Sequence, residues 1–220
     1  MPRRASSRAD RRIRRVGGCT FAECPDLPAP EARIVWHADL DPETLPISII
    51  PVSHAGPDHI DLVEIAPWLT FIRDASGLEH AVLSDGWHHL RLDVAEGSLS
   101  VSGLVLINYA VAGRDTAWRR LIAVRRFLDL VRKRRFSGAL YPPDPRVDRW
   151  LALLRVHDAL RDGASQRDIG EVLFGEARVH REWYGPSDSL RSRIRRLVRD
   201  ARAMARGGYR SLLQRRPGER

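Results

Sequence analysis

"DSLRSRIRRLVRDARAM", residues 188–204, carries arginine at 191, 193, 195, 196, 199 and 202. The guanidinium fork pairs with phosphate oxygens and with the acceptor edge of guanine. At helical spacing Leu190, Ile194, Leu197, Val198, Ala201, Met204 and Ala205 share one arc. Arg191, Arg195, Arg199, Arg202 and Arg206 share another, with Ser192 and Arg196 beside them. Like charges along one helix face repel, so a stripe this dense points to a polyanion that neutralises it. Such a helix fits the DNA major groove, and each phosphate it meets releases counterions. The spacing predicts a helix over 187–206 that presents Ser187 and Ser189 at its start, where groove-entering helices contact bases and phosphates. A solvated basic face, or a helix pairing with an acidic partner, is the competing reading.

"GASQRDIGEVLFG", residues 163–175, has the form of the supporting helix in a helix-turn-helix. Gly163 stops the helix before it, Ser165 is placed to cap the next, and Asp168 stands at the capping-box position. Ile169 and Leu173 face inward, and Gly170 is the small residue wanted where two helices approach closely. The candidate DNA-contacting residues are Ser165, Gln166 and Arg167 here, with Ser187, Ser189, Arg191, Ser192, Arg193, Arg195, Arg196, Arg199 and Arg202 beyond. A dozen residues, 176–187, separate the two helices, and a short helix is expected within them at roughly 177–183.

Other residue types that do chemistry are present without a supporting pattern. His54, Asp58, His59 and Asp61 lie close together in "HAGPDHIDLVE", but no second cluster follows at a metal-ligand spacing. His88 and His89 are adjacent on an expected strand and so point to opposite faces. Cys19 and Cys24 are the only cysteines, read as free thiols. There is no phosphate loop, dinucleotide fingerprint or nucleophilic triad with local support. The chain is expected to be no enzyme and to need no cofactor or metal.

The elements that would position the arginines emerge from charge and periodicity. The 220 residues carry a net charge of +9, unevenly spread. Residues 1–18 carry +6, residues 19–110 carry −11 and residues 111–220 carry +14. All cations but Lys133 are arginine, a bias that a GC-rich genome also produces. Between 32 and 112, short apolar runs ("ARIVWHADL", "LPISIIPVS", "WLTFIRD", "EHAVLSD", "WHHLRLDV", "LVLINYAV") alternate with turn signals, as in consecutive antiparallel hairpins. From Asp115 the period becomes helical. Trp118, Leu121, Ile122, Val124, Phe127, Leu128 and Val131 fall on one face, and a further helix, ending at Gly163, is expected to bury Trp150, Leu153, Leu154, His157 or Ala159, and Leu160. The predicted fold is α+β, a β-rich antiparallel unit followed by an all-α helix-turn-helix variant. Its divisions are a basic arm at 1–30, a β-rich unit at 31–113, a connecting helix and linker at 114–144, and a DNA-binding domain at 145–217. No apolar run approaches the roughly 18–20 residues that span a bilayer, and no signal-type run follows the basic start. Neither membrane nor secretion is expected, and the expected location is the cytoplasm.

"WLALLRVHDALRDGASQRDIGEVLFG", Trp183, "SDSLRSRIRRLVRDARAM" and "GGYRSLL" together resemble the RovC-type DNA-binding domain of proteobacterial transcription factors that act on type VI secretion genes. Related proteins regulate integrative conjugative elements, some as activators and some as antiactivators. The resemblance covers 147–214 and rests on Trp150, Asp158, Gly163, Ser165, Arg167, Ile169, Gly175, Trp183, Ser187, Leu190, Arg191, Arg195, Arg196, Gly207, Gly208 and Tyr209. It implies a helix-turn-helix variant that accommodates a long connection, a transcriptional regulator, and double-stranded DNA as partner. RNA polymerase, another regulator and a second copy of the chain are further candidate partners. The alternative is an antiactivator that uses the same fold to hold another regulator.

Overall fold

Alternation of inward and outward side chains builds the first part of the protein. The computed structural model describes residue 24 and residues 26–101, 103–185 and 188–214. The arm expected at 1–30 falls largely outside the described residues, as do Cys19 and Ser187. Among the described residues six strands form one sheet: β1 (Leu45–Pro51), β2 (His59–Asp61), β3 (Leu69–Arg73), β4 (Glu79–Ser84), β5 (His89–Glu96) and β6 (Leu104–Tyr109), in the order β2-β6-β1-β5-β4-β3. Leu45, Ile47 and Ile49 alternate inward along β1, meeting Leu83, Leu92, Val94, Val105 and Ile107 from its neighbours.

Consecutive hairpins hold for β3-β4-β5, but the sheet is not wholly antiparallel. β1 and β5, at its centre, run parallel, with Leu45 beside Leu92 and Ile47 beside Val94. Period-two alternation sets which face turns inward and says nothing of strand direction. The expected first strand, in "ARIVWHADL", is also corrected, since it keeps only a single bridging residue at Trp36. Its Trp36 carbonyl is taken by a side chain. Arg91, fully buried, donates from Nε and Nη2 to Trp36 O at 3.0 and 2.9 Å, from Nη1 to Ala81 O and Leu92 O at 2.7 Å each, and from Nη2 to Asp93 Oδ1 at 2.8 Å. A buried guanidinium is tolerated only with its donors satisfied, and here they pin the stretch containing Val35, which is itself fully buried.

Helix α1 (Arg114–Lys133) sends Ala123, Phe127 and Leu130 into the same core, and Phe127 meets Tyr109 edge-on at 5.9 Å. Trp118, Leu121 and Leu128, expected on the buried face, stand exposed. The helix carries apolar residues on more than one side, and its period does not choose which stripe meets the sheet. One compact unit ends at Pro142 and another starts at Pro143, and α1 packs with the sheet within the first.

The second unit holds α2 (Val147–Arg161), α3 (Gln166–Phe174), α4 (Glu176–Glu182), α5 (Ser189–Ala203) and α6 (Arg210–Gln214), with a π turn at Met204–Gly208. Its core is Leu153, Val156, Ile169, Val179, Leu190, Ile194, Val198 and Ala201. In α2 the inward pair is Leu153 and Val156, while Leu154 is exposed, because this short helix shows only a narrow strip to α5. Gly170 sits where three helices converge. A Cβ there would lie 2.7 Å from Ile194 Cδ1 of α5, 3.3 Å from Val179 Cγ2 of α4 and 3.7 Å from Trp183. Replacing Gly170 with leucine is expected to lower stability by about 1–3 kcal/mol, read by chemical denaturation. Gly170→Ala, which only has to displace the mobile end of Ile194, is expected to cost less.

Candidate nucleic-acid interface

The supporting helix is built as its sequence demands. Ser165 Oγ accepts from Asp168 N at 3.2 Å, and Asp168 Oδ2 accepts from Ser165 N at 2.8 Å, a reciprocal capping box. These bonds hold the Asp168 carboxyl below its ordinary pKa, the Ser165 backbone amide first among them. Gly175, at φ 89°, serves as both the end of α3 and the start of α4. Residues 176–185 of the connection are therefore no loose loop, since α4 buries Val179 completely within them.

α5 is strongly two-natured, with six arginines against Asp200 alone over Ser189–Ala203. Leu190, Ile194, Val198 and Ala201 form its buried strip, which drives the arginines to the flanks and the outer face. On one flank lies a concavity of 270 Å³ lined by Gln166 of α3 and by Arg195, Val198, Arg199, Arg202 and Arg206. Four arginines thus line the concavity beside the first residue of α3, two of them, Arg195 and Arg199, also paired with Asp188 and Asp200. On the other flank a groove of 760 Å³ runs between α2, the end of α3 and α5, lined by Arg193, Arg196 and Leu197 among others.

Part of the stripe is already neutralised from within. Asp188, just before α5, accepts from Arg191 Nε at 2.7 Å and Ser192 Oγ at 2.9 Å, and it also pairs with Arg195. The Ser192 hydroxyl and then the Arg191 guanidinium hold its carboxyl below the ordinary carboxylate range, so the clamp persists until the pH falls through that lowered value. Asp200 is shared by Arg149 at 2.8 Å and Arg199 at 3.3 Å.

The candidate residues therefore separate into groups. Gln166, Arg195, Arg199 and Arg202 come together around the smaller concavity. Arg191, Ser192 and Arg195 gather on Asp188. Arg193 and Arg196 lie on the far flank, Arg193 stacked over the Phe174 ring at 4.7 Å. Arg167 turns aside, bonded to Glu171 at 3.0 Å and 5.9 Å from the centroid of the Tyr184 ring. Ser165 is occupied as a cap, Ser189 is the exposed first residue of α5, and Ser187 is not described. Arg206 belongs with the smaller cluster although it falls beyond the candidate set, and its place on the arginine arc was the available signal. Arg149 had none, because only the fold brings it 51 residues along the chain to Asp200.

The histidines of the sheet unit turn to their own neighbours. His59 Nδ1 meets the His54 carbonyl at 2.8 Å, and His88 Nδ1 meets Asp85 at 2.9 Å. Among the described residues no three His, Cys, Asp or Glu side chains are grouped to hold a metal, and no helix is long and apolar enough to cross a membrane.

Residues 110–214 match the family model of the RovC-type domain, described as the DNA-binding domain of a T6SS transcription factor. The match takes in α1 and the whole helical unit through α6. No curated protein matches the chain. Neutralising Asp188 is expected to free Arg191 and Arg195 for phosphate. Asp188→Asn should bind a random-sequence duplex more tightly than the unaltered protein at low salt, measured by fluorescence anisotropy; weaker binding would show that the clamp serves to orient the arginines.

Proposed function

We propose that this chain, with a RovC-type transcription-factor DNA-binding segment at 110–214, is a sequence-specific transcriptional regulator that reads the major groove with α5. The observation that carries this reading is the convergence of Arg195, Arg199, Arg202 and Arg206 beside the start of α3. Phosphates supply countercharge beyond the pairs that Arg195 and Arg199 make with Asp188 and Asp200, and contacts to them fix register on the duplex while side chains near the start of α5 meet base edges. In this account α3 is the support and contributes Gln166, while Ser189, Arg191 and Ser192 near the start of α5 approach the bases. The basic arm at 1–15 adds phosphate or minor-groove contacts. Its seven arginines favour that role, and it lies outside the described residues.

The test is a mobility-shift titration across salt concentrations, with genomic fragments that the protein retains. Arg195, Arg199 and Arg202 changed together to alanine should abolish specific binding while the circular dichroism spectrum stays unchanged. Each lost phosphate contact should also flatten the slope of log K against log salt by about 0.9. Unchanged affinity and slope in the triple variant would end this reading.

A further inference from the structure

The groove on the far flank of α5 has a different chemistry from the arginine concavity. Its floor is Ala152, Leu173, Phe174 and Leu197, each only half-buried, the last three against the helical core. Its rim is Arg149, Arg193, Arg196 and Arg199, with Asp200 the sole acid among the lining residues and already shared by two of those arginines. Phosphates gain nothing from an apolar floor, whereas the non-polar side of an amphipathic helix loses its hydration there. At 760 Å³ the groove is of the size that accommodates several side chains.

We infer that this groove is the docking site for an acidic amphipathic helix of a partner protein. Leucine or phenylalanine side chains on one face of that helix fill the floor over Leu173, Phe174 and Leu197, and its flanking carboxylates meet Arg149, Arg193 and Arg196. Charge complementarity selects the sign of the partner: the arginine rim around an apolar floor repels a basic helix and attracts carboxylates. Arg193 is held over the groove edge by its stacking on Phe174, so the rim charge is preorganised. α5 thereby offers a phosphate-binding flank and a protein-binding flank, with Arg199 common to both. The inference does not depend on DNA recognition, since the two flanks use otherwise separate residues.

The probe is a fluorescein-labelled helical peptide with leucines at i, i+3, i+4 and i+7 and glutamates at the outer positions, titrated into the full chain. Two controls accompany it, one with the leucines changed to alanine and one with the glutamates changed to lysine. The acidic leucine peptide should bind, and both controls should bind at least about tenfold more weakly. The surface double variant Arg193→Glu/Arg196→Glu should lose at least about tenfold in affinity for it, and Arg202→Ala/Arg206→Ala should retain it. Equal binding of the alanine control would mean mere adsorption to a basic surface and would overturn the inference, as would indifference to Arg193→Glu/Arg196→Glu. Phe174→Ala supplies a reading free of charge. If it weakens duplex DNA binding and leaves the peptide unaffected, the groove is a DNA surface and the docking site does not exist.

Discussion

The helical unit depends on burying one narrow strip of a helix that is otherwise arginine. Leu190, Ile194, Val198 and Ala201 are sealed against α2 and α3, and each large side chain so buried contributes about 1.5–3 kcal/mol. That strip can close only because Gly170 lets α3 come within van der Waals reach of Ile194. Once the strip is inward, the period of the helix leaves the six arginines no place but its flanks and outer face. The capping box that starts α3 and the single-residue turn at Gly175 then set Gln166 beside Arg202 and set Phe174 beside Arg193. Both flanks of α5 are thus consequences of one packing contact.

Electrostatics refines what packing produces. Asp188 and Asp200 sit at the edges of the arginine field and tie up Arg191, Arg195, Arg149 and Arg199 in exposed or half-exposed pairs. Exposed pairs of this kind contribute little to stability. Their effect is to hold long side chains in place and to temper a surface that would otherwise attract any polyanion. Arg202 and Arg206, further along, line the concavity beside α3.

What could be read from the sequence was whatever period and local capping decide. The two arcs of α5, the Ser165–Asp168 box, the tight place at Gly170 and the helical nature of the connection beyond Gly175 all follow from spacing within one segment. What could not be read was pairing between distant segments. The parallel contact of β1 with β5, the capture of the Trp36 carbonyl by Arg91, and the reach of Arg149 to Asp200 have no local signature. α1 lies between the two cases: its helical period was plain, but the sheet took Ala123, Phe127 and Leu130 and left Trp118 outside. The matched family segment begins at 110, before α1, so the segment's first helix has its apolar face in the core of the sheet that precedes it.

The central claim is that α5, and not the sheet, lies against DNA. A photoreactive benzophenone side chain placed at Ala203, an exposed position on α5, and separately at Leu78, an exposed position on the sheet unit, tests it directly. With genomic duplex that the protein retains, illumination should crosslink DNA from position 203 and not from position 78. Crosslinking from position 78 with none from position 203 would contradict the account.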